Sequence, residues 1–219
     1  MRQVIWILIA FASVCTGFYG CHHLQATETQ TVNSGEERLE ISFRFHRGGI
    51  ASSQYAIWIE DESGRLVRTL YATSFTVEGG YEYRKDAIPL WVGKARPQMM
   101  TSAQVDAITG ATPQNGNLTY QWDGTDDKGN CLPPGIYKFF VEGTLYWKSR
   151  VLYSGKLHWG NKVSDSISVE VRYFNQSSTN ENMITDLNSN HREVNRQYYP
   201  TEQLRQSNAI KKNDSTHKA

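Results

Sequence analysis

The sequence predicts an all-β protein, a two-sheet sandwich formed by one domain of residues 38–174. Two observations support this prediction: short runs in which apolar and polar residues alternate, and turns rich in Gly, Asp and Pro between those runs. Alternation with period two places every second side chain on one buried face, as in a half-buried strand. Several such strands at regular spacing are typical of a sandwich.

The first predicted strands show the alternation most clearly. Leu39, Ile41 and Phe43 alternate with charged or small polar residues, and a second run of the same period ends in the turn Asp61-Glu-Ser-Gly64. That turn and the apolar run after it predict a hairpin. The aromatic residues of the later runs favour a pleated, half-buried surface. The predicted strands cover residues 39–45, 55–59, 65–71, 136–145, 151–157 and 164–174.

Residues 81–112 interrupt the strands. Leu90, Trp91 and Val92 are followed by Lys, Arg, Pro and two Met residues, a composition that predicts a long, partly helical excursion. Long segments without strands are uncommon in compact domains and are often functional. We expect this excursion, residues 81–112, to cover one end of the sandwich.

The two ends of the chain are expected to lie outside the domain. Residues 1–20 contain one basic residue and then an apolar run, the pattern of a secretory signal peptide. Cys21 follows a small residue, as the lipidated cysteine of bacterial lipoproteins does, which predicts a periplasmic protein anchored in the membrane through Cys21. Cleavage without lipidation and retention of the leader as an anchor stay open. Residues 21–37 predict a polar tether, and residues 175–219 predict a disordered tail.

The charge balance excludes two classes of partner. The formal net charge is +1, and 21% of the residues are charged. Neither nucleic acid nor an anionic membrane surface is therefore an expected partner, and the membrane is reached only through the N-terminal anchor. Of the three cysteines, Cys131 alone would remain inside the mature domain, where we expect a spare thiol.

A second turn, Trp122-Asp-Gly-Thr-Asp-Asp-Lys-Gly-Asn130, leads into Pro134-Gly-Ile-Tyr137. Its aspartates predict capped turn amides rather than a calcium site, and Trp122 is expected to pack on the strand of Tyr137. Positive φ is predicted for three glycines, which are Gly124, Gly129 and Gly135. With the Asp61 hairpin, this pattern resembles the immunoglobulin-like domain of the flagellar hook-cap protein, which implies an immunoglobulin-like β-sandwich. Three segments, which are Asp106-Ala-Ile-Thr-Gly-Ala-Thr-Pro113, the Trp122-Asp-Gly turn and the strand Tyr137-x-x-x-Val-Glu142, make residues 39–172 similar also to a family of predicted periplasmic proteins of unknown function.

The sequence Asp106-Ala-Ile-Thr-Gly-Ala-Thr112 is the most informative part of the excursion. It resembles the signature Asp-x-x-Ser/Thr-Gly-Ala-Thr at which exported FAD:protein FMN transferases attach FMN. The resemblance implies a phosphodiester between FMN and the hydroxyl of Thr112, with Asp106 on the same loop and with Gly110 and Ala111 leaving the hydroxyl open. The alternative is a tight loop in which Asp106 and Thr109 cap their own backbone.

The sequence contains no nucleophile with a nearby base, no closed metal-ligand spacing and no nucleotide-binding fingerprint, so an enzyme is not predicted. The observations favour a non-catalytic exported module that binds another protein of the bacterial envelope. The alternative is an extracytoplasmic redox carrier with FMN on Thr112, which works with a flavin transferase and a membrane reductase.

Overall fold

The computed structural model describes residues 36–47, 53–110, 113–144, 149–161, 165–175 and 183–194. The strands are β1 Glu36–Phe45, β2 Gln54–Asp61, β3 Leu66–Thr73, β4 Thr109–Gly110, β5 Gly116–Trp122, β6 Gly135–Thr144, β7 Arg150–Trp159, β8 Asp165–Ser166, β9 Val169–Phe174 and β10 Ile184–Val194. The helices are α1 Tyr81–Tyr83, α2 Pro89–Ala95 and α3 Ser102–Ile108, with short irregular turns at Thr76–Gly80 and Pro97–Met99. The predicted signal peptide and most of the predicted tether lie outside the described residues.

The strands form two sheets that face each other. One sheet has the order β5-β1-β10-β8, and the other has the order β4-β3-β2-β6-β7-β9. The pairings are antiparallel except for the short one between β3 and β4. The prediction of an all-β sandwich is therefore confirmed.

The main core lies between the two sheets. Alternate residues of β1 are buried, and they are Leu39, Ile41, Phe43 and Phe45. The facing sheet contributes Tyr55, Ile57 and Ile59 from β2 and Tyr137, Phe139 and Val141 from β6. Burial of a large apolar side chain stabilises the fold by about 1.5–3 kcal/mol. The period-two pattern thus fixes which face of each strand points inward.

The predicted packing of Trp122 is confirmed. Trp122 is only 1% exposed, and its ring lies 5.3 Å from that of Tyr137 and 4.6 Å from that of Trp159. The indole Nε1 donates to the carbonyl oxygen of Thr125 at 2.8 Å. The residue therefore buries its ring without leaving its polar atom unsatisfied.

The carboxylates of the turn after β5 cap backbone amides, as predicted. Asp123 Oδ1 accepts a hydrogen bond from the amide of Thr125 at 3.1 Å. Asp126 Oδ1 accepts from the amides of Lys128 and Asn130 at 2.9 and 2.8 Å. These bonds satisfy amides that no strand partner reaches.

Two of the three glycines predicted to need positive φ have it. Gly124 and Gly129 both have a φ of 80°. Gly124 also lies against the ring of Trp159, where a side chain would collide. The prediction for Gly135 is wrong: this residue begins β6 and its φ lies outside the positive region. A side chain at position 135 would therefore meet no backbone strain of this kind.

The excursion packs on the outer face of the six-stranded sheet and not, as predicted, on one end of the sandwich. Its partly helical character is confirmed by α1, α2 and α3. Trp91 of α2 and Ile108 of α3 form a second core with Trp58 and Ala72, which belong to β2 and β3. β2 is consequently buried on both faces, and strands of that kind have nearly continuous apolar sequences.

The predicted disordered tail is wrong for residues 184–194. These residues form β10, which lies between β1 and β8 and pairs with β1 along its length. Ile184, Ser189 and His191 are buried. Because two of these inward positions are polar, the strand lacks the apolar alternation by which the others are recognised. The domain therefore continues past residue 174, while residues 176–182 and 195–219 lie outside the described part of the chain.

Candidate functional site

The loop Asp106–Thr112, here called the motif loop, begins on α3. A capping box fixes the start of this helix: Thr101 Oγ1 accepts from the amide of Gln104 at 3.3 Å, and the Gln104 side chain accepts from the amide of Thr101 at 2.9 Å. Reciprocal bonds of this type satisfy amides that the helix leaves unpaired. The position of the motif loop thus depends on a helix with a defined beginning.

The motif loop then reaches an edge of the six-stranded sheet. Thr109 and Gly110 form β4, which pairs in parallel with β3 and is the outermost strand on that side. The described chain stops at Gly110 and continues at Pro113. Two of the predicted site residues, Ala111 and Thr112, therefore lie outside the described residues.

Asp106 and Thr109 behave differently in the structure. Thr109 Oγ1 donates to the carbonyl oxygen of Val105 at 2.8 Å and so closes the end of α3. Asp106 is exposed on α3, and within the described residues its carboxylate has no hydrogen bond or ion pair. The backbone capping expected of a purely structural loop is thus present for the threonine but not for the aspartate.

Gly110 packs closely against the sheet. Its carbonyl oxygen accepts hydrogen bonds from the Tyr71 hydroxyl at 3.3 Å and from Ser74 Oγ at 3.2 Å. A Cβ at position 110 would lie 3.2 Å from the Tyr71 ring, tighter than an ordinary contact. The close approach of the Tyr71 ring therefore explains why position 110 is a glycine in this fold.

Tyr71 belongs to a cluster of three tyrosines beneath the motif loop. Its ring stacks on that of Tyr55 with centroids 4.7 Å apart, and the hydroxyls of Tyr55 and Tyr120 are 2.6 Å apart. Burial raises the pKa of all three phenols, that of Tyr120 to about 12. The hydroxyls are therefore protonated at neutral pH, and Tyr71 can donate to the loop throughout that range.

Glu142 holds one end of α2, and the sequence analysis missed this role. The side chain is buried on β6; its Oε2 accepts from the amide of Trp91 at 2.9 Å, and its Oε1 accepts from Leu90 N and from Arg150 Nη1, both at 3.2 Å. Burial raises the pKa of this carboxyl, while the two amides and the guanidinium act in the opposite direction. The signal in the sequence was a lone carboxylate in an apolar strand, Val141-Glu142-Gly143.

A second ionic contact holds the other end of α2. Lys94 Nζ donates to Glu60 Oε2 at 3.0 Å and also to the carbonyl oxygen of Gly64. The other oxygen of Glu60 accepts from Trp58 Nε1 at 2.8 Å. The excursion is thus fixed to the sheet at both ends of α2.

The residues that the structure describes contain no group of three or more His, Cys, Asp or Glu side chains arranged to hold a metal ion. The turn carboxylates Asp123 and Asp126 are used in capping instead. No helix in the described ranges is long and apolar enough to cross a membrane.

Cys131 takes part in a disulfide bond, so the expectation of a spare thiol is wrong. The residue is exposed in the turn after β5, where its backbone forms an isolated bridge with Thr125. Disulfides persist in oxidising compartments, of which the bacterial periplasm is one.

The fold and the site define a class of protein by architecture: a two-sheet β-sandwich with a helical excursion that packs on one outer face and continues into the edge strand β4. The chain belongs to the family described as predicted periplasmic protein (DUF2271), whose model matches residues 36–175. That range includes the whole excursion and the strands β1 to β9. No curated protein and no solved structure matches the chain.

Proposed function

We propose that this protein is a non-catalytic module of the bacterial envelope and that its working element, the motif loop, carries FMN on the hydroxyl of Thr112. The position of Asp106 is the observation that supports this function most. Thr109 and Gly110 have structural tasks, at the end of α3 and against Tyr71. Asp106 has none among the described residues, and an exposed side chain without a structural task is available to another protein.

The surroundings of the motif loop suit a group attached covalently at the surface. Among the described strands β4 is an edge strand, so no other described strand occupies its outer side. Gly110 adds no side chain before Thr112 in the sequence, and the contacts of Glu142 and Lys94 keep the excursion in place. When bound, FMN would supply electron transfer, and Thr112 would hold it covalently.

The attachment step balances with FAD as the donor. The oxygen of the Thr112 hydroxyl attacks the phosphorus of the FMN half, the bond between the two phosphates breaks, and AMP leaves. The threonine proton passes to a base of the transferase, which is a second protein. In this proposal Asp106, at the start of the motif loop, binds the transferase.

The test is co-expression with an FAD:protein FMN transferase in an exporting host. The wild type should become yellow, with flavin that survives denaturation, and Thr112→Ala should remain colourless. Asp106→Asn should lose most of its flavin without losing stability, since the side chain has no partner in the described fold. Thr119→Ala and Glu82→Gln, which alter an exposed threonine and an exposed carboxylate outside the motif, serve as controls and should be yellow.

A colourless wild type, with a transferase proven active on another protein, would leave the second candidate, a module that binds another envelope protein. Three exposed apolar side chains between residues 75 and 99 favour that candidate: Tyr83 is 90% exposed, Met99 77% and Phe75 44%. Phe75 adjoins Ser74, which is bonded to Gly110. Substituting these three by Ser should then weaken capture of the partner and leave the fold intact.

The proposed location is the periplasm, with a membrane anchor on Cys21. Because one sulfur cannot hold both a lipid and a disulfide, a lipidated Cys21 is not the partner of Cys131 in its disulfide bond. The mass of the protein before and after reduction separates the lipid from the disulfide. A lipid-sized increase in mass that is lost in Cys21→Ser, with release of the protein from the membrane fraction, is the expected result. Unchanged fractionation and mass in Cys21→Ser would contradict it.

A further inference from the structure

The strand β9 forms the edge of the six-stranded sheet opposite to β4. In the described part of the chain it pairs with β7 and with no other strand. Its four central residues are all exposed, and they are Glu170, Val171, Arg172 and Tyr173. An edge strand presents a row of backbone donors and acceptors on which another strand can pair.

The inner face of β9 is apolar and only partly covered. Val171 lies opposite Tyr153, and Tyr173 lies opposite Val151. Opposite residues of an antiparallel pair point to the same face, and both residues of β7 belong to the core between the sheets. Val171 and Tyr173 are nevertheless 43% and 47% exposed. The facing sheet has four strands rather than six, which leaves this edge open.

One register of a symmetric pairing suits these side chains. In such a pair a two-fold axis relates β9 to β9 of the second copy. Opposite side chains point to the same face, so a residue can lie opposite itself but not opposite its neighbour in sequence. The axis must therefore pass between two copies of the same residue. An axis through Val171 places Glu170 opposite Arg172 of the second copy twice, and Val169 opposite Tyr173. An axis through Glu170 or Arg172 would set like charges against each other, which is destabilising.

We infer that β9 is a self-association surface: it pairs antiparallel with β9 of a second copy of this chain, centred on Val171, and joins the two six-stranded sheets edge to edge. Charged residues on an edge strand normally prevent pairing. Here the two charges are opposite in sign and two residues apart, so they are complementary in this one register and hinder pairing with other strands. The surface lies on the sheet edge opposite to the motif loop, so the motif loop stays accessible in the dimer.

The test uses charge variants of the mature protein: Glu170→Arg, Arg172→Glu and the double exchange. Neither side chain has a hydrogen bond or ion pair within the described residues, so the variants should fold, which circular dichroism checks. The interface is small and belongs to the weak class, so sedimentation is measured up to about 1 mM protein with reductant present. Lys156→Glu, an exposed change one strand inward on β7, is the control.

The wild type, the double exchange and the control should form dimers of equal strength. Each single variant should dimerise about 5- to 30-fold more weakly, since it turns two attractive pairs into two repulsive ones. An equal mixture of the two single variants should recover the affinity, because each contact is again an arginine with a glutamate. A monomeric wild type, single variants that dimerise normally, or a mixture that does not recover would each overturn the inference.

Discussion

Glu142 links the sheet to the excursion through its ionisable side chain. Its carboxylate accepts hydrogen bonds from the amides of Leu90 and Trp91 and from Arg150. Burial nevertheless raises the pKa of the carboxyl above its usual range. The folded protein therefore binds this proton more tightly than the unfolded chain does, and the stability that Glu142 contributes is present at acid pH and lost as pH rises through the raised pKa.

A comparison of the wild type with Glu142→Gln tests whether the contribution of Glu142 to stability falls as pH rises. The free energy of unfolding of the wild type should fall relative to that of the variant as pH rises from about 4 to about 8. Urea unfolding at a series of pH values measures the difference. A difference that stays constant or grows with pH would contradict the direction of the pKa shift.

The burial of Trp122 allows us to predict how far its truncation lowers the free energy of unfolding. Because its ring is buried between Tyr137 and Trp159, Trp122→Ala should lower the free energy of unfolding by about 3–5 kcal/mol, as aromatic truncations in cores do. Phe174→Ala, at the half-buried end of β9, is a milder control and should cost less. A loss below about 1 kcal/mol for Trp122→Ala would mean that the indole is not a core residue.

The residues of the turn after β5 were predictable and those that clamp the excursion were not, for a physical reason. Asp123 and Asp126 cap amides two to four positions away, so the sequence contains both partners within one turn. Glu142 bonds to amides more than fifty positions earlier in the chain. A single sequence cannot show which distant backbone a buried carboxylate will meet.

At the scale of elements, the strands with strict alternation were predicted and β10 was not. β1 has apolar residues at each inward position, whereas two inward positions of β10 are Ser189 and His191. His191 Nε2 lies 2.5 Å from Glu37 Oε1, and the imidazole ring packs at a tilt against the ring of Trp159. Contacts with β1 and β7 therefore stabilise β10 in place of a regular apolar pattern.

Truncation tests the assignment of β10. A chain that ends at residue 175 lacks a strand that pairs with β1 over nine positions and exposes the inward residues of β1. It should lose cooperative urea unfolding, whereas a chain that ends at residue 194 should unfold like the full chain. Equal stability of the two truncated chains would show that β10 is dispensable.

At the scale of the whole molecule, the sandwich places its functional candidates on opposite edges of one sheet. The motif loop follows β4 at one edge, and the exposed strand β9 forms the other. The excursion covers the outer face between them and is anchored by Glu142 and Lys94. The all-β class was predictable because burial imposes a period of two on strands. The face on which the excursion packs was not predictable, because β2 is apolar on both faces and its sequence does not show which one the excursion covers.

Peptide mass spectrometry shows whether the motif loop carries FMN on Thr112. Protein from the periplasm of cells that contain the transferase is digested, and the peptide that spans Asp106–Thr112 is fragmented. This peptide should be heavier by one FMN less one water, with the added mass on Thr112 and absent from Thr112→Ala. An unmodified peptide, under conditions in which a control protein is fully modified, would show that the motif loop does not carry FMN.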